Sequence, residues 1–213
     1  MTVPATRRAT ATLPIDTRLP DVCVAEWFGA HFSALHPRLQ ELHRVGGQLR
    51  GTVRIDIGKG IAGWIGRRLA RRLGIPQNTR DCGFTVTISH HDGELHWSRE
   101  FAGGSRMHSV FRPIGHWPDG YWIERSGPFE LRLGVDVIDG GWYWRLRAAR
   151  LAGLPLPLAF LPTTRAHKRI RNDRYCFLVE LSLPLLGMIL SYAGDLDLVD
   201  SGVAATLANS VQA

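Results

Sequence analysis

The stretch FTVTISHHDGELHWSREF, residues 84–101, folds back on itself about Asp92-Gly93. Asp-Gly tolerates the positive backbone angles of a two-residue hairpin turn. A turn there sets His91 opposite Glu94, Ile88 opposite Trp97, Val86 opposite Arg99 and Phe84 opposite Phe101. A one-residue slip would send every apolar member to the other face, so the pattern fixes the register. Arg99 falls on the apolar face.

Two later hairpins read the same way. Phe129, Leu131, Leu133, Val135 and Val137 alternate into Asp139-Gly140, which sets Val137 opposite Trp142, Val135 opposite Trp144 and Leu133 opposite Leu146. The other face then pairs Arg132 with Arg147, a like-charge contact that needs solvent or a partner. Around Asn172-Asp173, Ile170 meets Tyr175 and Lys168 meets Phe177, with Val179 and Leu181 continuing the inner face. Lys168 is thus a second cation on the apolar side. Gly103-Gly104 leads into Ser105 to Arg112, where either His108 or Ser109 faces Arg99. Tyr121 to Arg125 forms another strand, closed by a turn at Ser126-Gly127-Pro128. Its parity groups Arg125 with Tyr121 and Ile123, which turns Arg125 inward. Met188 to Leu198 is the last strand.

Between the second and third hairpins lies LAGLPLPLAFLP, residues 151–162, with no charged, hydroxyl or amide side chain. Pro155 and Pro157 bar it from a helix interior or a central strand. An apolar loop of this kind is expected to pack over the open end or edge of the sheet.

Upstream, Asp21 caps a helical pattern of Val24, Trp27, Phe28, Phe32 and Leu35, and Pro37 opens a second helix that ends at Gly46-Gly47. Gln48 to Ile57 alternates as a strand. Residues 61–73 form an amphipathic helix, with Ile61, Trp64, Ile65, Leu69 and Leu73 sharing a face and Arg67, Arg68, Arg71 and Arg72 taking the rest. The fold class is therefore mainly β (α+β): a curved antiparallel sheet or barrel of about nine or ten strands with two or three N-terminal helices. Residues 1–20 form a disordered tail, 21–198 one β-rich domain, and 199–213 a frayed tail.

A chain of 213 residues with 45% hydrophobic and 21% charged content buries a core without staples. The net charge of +7 permits anionic partners without demanding one. Three widely spaced cysteines, Cys23, Cys82 and Cys176, fit a reducing compartment rather than a disulfide framework. No secretory signal and no apolar run of membrane-spanning length is present, so the expected location is cytoplasmic, with membrane association left open.

Four pieces, HWSREFAG, WIERSGPFELRLGV, RLAGLPLPLAFLP and YCFLVELSLPLLGMILSYAGDL, resemble in order and spacing an uncharacterised bacterial family, domain of unknown function 4166. The resemblance runs from about Phe32 to Leu196. It implies a context in which members stand alone or join Rossmann-type dehydrogenase-like domains or membrane segments, so a Rossmann-type partner is implied too. It implies no activity. The family pattern favours an acidic residue where Lys168 stands, so an activity that used that carboxylate would be altered here.

Motifs for chemistry are sparse. His91, His96 and Glu94 sit at an exposed hairpin tip, which reads as a solvated turn and not a metal site. Gly58-Lys59-Gly60 lacks P-loop spacing. No GxSxG, HExxH or Cys-His arrangement is present. The tryptophans fall mostly on apolar faces, which argues against a nucleic-acid stacking surface.

The leading expectation is a non-catalytic module binding a lipid-like or amphipathic anionic small molecule in a barrel cavity. Trp97, Phe129, Trp144 and Phe177 line it, Arg99 and Arg125 meet the anionic end, and Leu154 and Leu156 close it from the flap. A rival is a cavity enzyme, an isomerase or hydrolase using Glu124 and Arg99, with His108 a further acid-base candidate. A third reading is a structural, partner-docking module without ligand. No cofactor is expected. Arg67, Arg68, Arg71 and Arg72 offer contact with an anionic membrane surface.

Overall fold

The computed structural model describes residues 23–126 and 129–199. The expected N-terminal tail (residues 1–20), the expected C-terminal tail (199–213) apart from Val199, the Asp21 cap and the turn at Gly127-Pro128 lie outside them.

The strands are β1 (Gly47–Ile57), β2 (Asp81–His91), β3 (Glu94–Phe101), β4 (Arg106–Ile114), β5 (Tyr121–Ser126), β6 (Phe129–Ile138), β7 (Gly141–Leu151), β8 (Leu154–Leu156), β9 (Thr163–Arg171), β10 (Arg174–Leu183) and β11 (Gly187–Val199). Neighbours pair antiparallel in the order β6-β5-β4-β3-β2-β1-β11-β10-β9-β7-β8, and β6 also pairs with β7. That last pairing closes a ten-strand barrel and leaves β8 as an extra strand. Closure removes the exposed edges an open sheet of this size would carry.

All three hairpin registers hold: Ile88 pairs with Trp97, Val135 with Trp144 and Lys168 with Phe177. Two details differ. Between β3 and β4 the turn is shorter than either expected choice, so Met107 stands opposite Arg99, and His108 pairs with Ser98. Between β6 and β7 a bulge at Arg132/Leu133 sets Arg132 opposite Ala148, not Arg147. The extra residue, Arg147, instead donates to the carbonyls of Asp119 and Pro118 at 2.7 and 2.9 Å. The bulge thus removes the like-charge pair.

Residues 151–162 lie along the edge of the sheet, one of the two places expected for them. β7 pairs with β9 only through Trp142, Tyr143 and Trp144. Farther along, β8 takes the vacated side of β7, with Leu154 opposite Leu151 and Leu156 opposite Ala149. Pro155 has no N–H to offer, so β8 can end a sheet but not continue it. A 3-10 turn, Leu158–Phe160, leads back to β9.

Two helices plug one end: α1 (Cys23–Phe28) and α2 (Pro37–Val45), joined by a 3-10 segment, Gly29–Ala34. Pro37 opens α2, as its preset backbone favours. Trp27 meets the Trp122 ring at 5.2 Å, and Phe28 meets Trp142 at 5.2 Å. The Trp27 indole N–H donates to the Ile114 carbonyl at 3.3 Å. Trp27, Trp122 and Trp142 are buried; on an area scale such a ring contributes about 4–6 kcal/mol as an upper bound. This aromatic plug closes the end of the barrel.

The helix α3 (Gly60–Leu73) lies at the opposite end. A Cβ on Gly66 would overlap the Ile189 carbonyl, and one on Gly63 the Gly58 carbonyl, so glycines set its close approach to the barrel. Gly74, in the left-handed region, ends it. Its apolar face divides: Ile65, Leu69 and Leu73 pack inward, whereas Ile61 and Trp64 are 68% and 64% exposed. The sequence had grouped those two on one face with Ile65, Leu69 and Leu73.

Candidate functional site

Below α3 the barrel is not solid. A cavity of about 540 Å³ runs inward from the mouth, where Arg71, Arg72, Leu73, Gly74, Arg106 and Phe129 form the rim. Such a volume lies within the roughly 300–1,000 Å³ range of small-molecule sites. Alternation along the strands builds its walls, because every second residue of a barrel strand faces the interior. Phe111, Leu131, Leu133, Leu146, Val179 and Leu181 supply the apolar surface.

Five of the residues expected to bind a ligand line this cavity: Trp97, Arg99, Phe129, Trp144 and Phe177. Glu124 lines it as well, from β5. Arg125 does not. It points outward, 65% exposed, and pairs with Glu130 at 3.2 Å. The parity of β5 is set by Trp122, fully buried against Trp27, and this turns Glu124 in and Arg125 out. Leu154 is exposed, and neither it nor Leu156 is part of the lining. His108 belongs to the lining but sits on the outer parity of β4, its Nδ1 within 2.9 Å of the Ser98 hydroxyl. Its ring lies 5.5 Å from His96, which in turn lies 5.3 Å from His91. Among the described residues no group of three or more His, Cys, Asp or Glu is arranged to hold a metal.

The residues that give the cavity its character are Lys168 and Arg99. Lys168 is 1% exposed. Its ammonium lies 3.7 Å from the ring centre of Trp142, 4.2 Å from Trp97 and 5.7 Å from Trp144. It has no hydrogen-bond partner. Burial, and then the Arg99 guanidinium, push its pKa well below the usual lysine range. The indole faces act the other way, since their electron-rich faces attract a cation. Arg99 donates to the Ser109 hydroxyl at 3.0 Å and stands over Trp97 at 5.2 Å.

Behind Lys168, His43 of α2 is fully buried and stacks on Trp97 with an interplanar angle of 8°. Burial, then Lys168, then His90 hold His43 well below the usual histidine range, so the imidazole is neutral. Burial also raises the phenols of Tyr175 and Tyr192, with Arg99 opposing the rise in both.

Among the described residues lining the cavity, Glu124 is the single carboxylate, against Arg71, Arg72, Arg99, Arg106 and Lys168. The arrangement can do one thing well: receive an apolar body along the walls and a negative group toward the cations.

Lys168 was legible as an inward cation from the third hairpin, yet its role at the closed end depends on Trp97 and Trp142, which come from other hairpins. Tyr175 was legible on the inner face of the third hairpin, opposite Ile170, whereas Tyr192 had no turn beside it to set its face.

No curated protein matches the chain. The model of the family described as "Domain of unknown function (DUF4166)" matches residues 35–196, which takes in α2, α3 and nearly the whole barrel. The chain therefore belongs to the DUF4166 family.

Proposed function

We propose that the barrel is a non-catalytic binding module for an amphipathic organic anion, a carboxylate or phosphate head group on an apolar body. The observation that carries this reading is the pairing of an apolar cavity with Lys168, a buried amine that has neither a hydrogen-bond partner nor, among the described residues, a carboxylate beside it. An amine buried without an acceptor is costly, and burial disfavours its charged form; a bound anion supplies the acceptor and restores the charge. Arg99 supplies a second donor set nearby, and its planar fork suits carboxylate or phosphate oxygens. The test is native mass spectrometry of the purified protein, with extraction of whatever co-purifies, followed by titration with laurate and lauryl phosphate. A one-to-one anionic adduct is expected. A protein that carries nothing and binds neither probe would refute the proposal.

A second reading, a cavity enzyme of the isomerase or hydrolase class, draws on Glu124. It is the one carboxylate of the described lining, and it shares the cavity with Arg99. A general acid or base needs such a position beside a bound substrate. Glu124→Gln separates the readings: a binding module keeps its affinity, and an enzyme keeps binding while losing turnover of the extracted ligand.

A further inference from the structure

The exposed large apolar side chains divide between the two ends of the barrel. Val45, Ile138 and Leu198 lie singly at the plugged end. Ile61, Trp64, Leu151, Leu154, Leu185 and Leu186 gather at the mouth, and Leu158 is exposed on the 3-10 turn that follows β8. Leu185 and Leu186 form the β10–β11 turn, adjoining the strand on which α3 packs. Leu151 and Leu154 end β7 and begin β8; Leu151 pairs with Phe129, and Arg72 of α3 stands over that ring at 5.3 Å. The six residues thus follow one rim: turn, helix, strand end. Leu185 is fully exposed and Leu154 is 71% exposed, which no packing need within the barrel explains.

The same rim is cationic. The outward face of α3 reads Ile61, Trp64, Arg67, Arg68, Arg71, Arg72, with all six exposed. None of the four arginines forms an ion pair with a described residue. A helix with tryptophan and isoleucine at one end of its outer face and free arginines along the rest suits an interface between apolar chains and anionic head groups.

We infer that the mouth of the barrel docks on an anionic membrane surface, with the leucine turns and Trp64 entering the head-group layer and the α3 arginines meeting lipid phosphates. Charge complementarity selects this occupant. A neutral apolar partner would desolvate four guanidinium groups that form no ion pair among the described residues, whereas lipid phosphates satisfy them. Docking in this pose sets the cavity mouth against the lipid layer. The inference rests on the outer surface and stands apart from the identity of the cavity ligand.

The test uses the full chain in co-sedimentation with vesicles of phosphatidylcholine alone or mixed with phosphatidylglycerol. Binding is expected only to the mixed vesicles, and raised salt should weaken it. Arg67→Ser with Arg68→Ser leaves the cavity lining intact and should lower the vesicle partition coefficient about 25-fold, at about fivefold per arginine. Leu154→Asp with Leu185→Asp should lower it further; both positions are exposed, so thermal unfolding should not change. Equal binding to both vesicle types, or no effect of either double variant, would overturn the inference. So would a concentration-dependent dimer lost in the leucine variant, which would assign the face to a second copy of the chain.

Discussion

Replacing Lys168 with methionine should stabilise the barrel and weaken ligand binding at once. The amine is buried and makes no hydrogen bond. A buried donor left unmade costs about 1–3 kcal/mol, and more if charged. Against that, a charged amine gains from the faces of Trp142 and Trp97 at 3.7 and 4.2 Å. Each such contact is worth about 0.5–2 kcal/mol. A neutral amine keeps the first cost in part and loses the second gain. Methionine fills the same space, carries no unmet donor and makes its own sulfur–ring contacts of about 0.3–1.5 kcal/mol. The balance favours Lys168→Met by about 1 kcal/mol, or about 2–4 °C in Tm for a domain of this size. Binding moves the other way. Loss of one charge-assisted hydrogen bond costs about 1.5–3 kcal/mol, which is roughly 10- to 150-fold in Kd. Thermal unfolding and titration with lauryl phosphate, run on both proteins, read the two signs. Binding should also couple to proton uptake, because an anion beside Lys168 restores its charge; affinity then falls as pH rises through the lowered range of Lys168. Lys168→Met should abolish that slope. A variant that is less stable and binds as before would refute the reasoning, since it would show the ammonium to be a structural cation held by the indoles alone.

Two further outcomes follow from buried groups elsewhere. Gly66→Ala should cost about 2 kcal/mol net by thermal unfolding, because overlap with the Ile189 carbonyl outweighs the roughly 1 kcal/mol that alanine gains in a helix; a more stable variant would mean that α3 is free to shift. His43 is held neutral when folded, so below about pH 6.5 the unfolded chain binds a proton that the folded chain does not. Stability should therefore fall as pH drops from about 6.5 toward the lowered value, by up to about 1.4 kcal/mol per pH unit. His43→Leu should flatten that part of the curve measured by denaturant unfolding, and an unchanged slope would exclude His43 as its source.

How much of this was legible depended on whether a local turn set the geometry. Asp92-Gly93, Asp139-Gly140 and Asn172-Asp173 each fix a register within two residues, so the pairings that bring Trp97, Trp144 and Phe177 inward could be written from sequence. They also revealed Arg99 and Lys168 as inward cations. β5 had no such anchor. Its two faces, Tyr121-Ile123-Arg125 and Trp122-Glu124, are about equally apolar, and Trp27 from the distant helix α1 decides between them. That one choice exchanged Glu124 for Arg125 at the site. The bulge at Arg132/Leu133 was equally hidden, because Arg147 finds its acceptors in the loop before β5. For α3, periodicity grouped Ile61 and Trp64 with Ile65, but the close approach is made by Gly63 and Gly66, which periodicity does not count. The proline-rich stretch lies on the sheet edge, one of the two places expected for it, but Leu154 and Leu156 do not reach the cavity they were expected to close.

The position of the charge inside the barrel carries the functional argument. A ten-strand barrel of this sequence had apolar choices for both inward cations, as Val86 and Phe177, their cross-strand partners, show. Either cation alone could have been neutralised by a carboxylate across the cavity, yet Glu124 is the one acidic side chain in the described lining and forms an ion pair with neither. Folding tolerates the imbalance because the aromatic plug is buried around it and lends Lys168 two close ring faces. An interior built only for stability gains little from leaving an amine without a hydrogen-bond acceptor behind an apolar cavity. An interior that awaits an anion needs such a group, placed far enough from solvent that the attraction is little screened and far enough from Glu124 that it is not already satisfied.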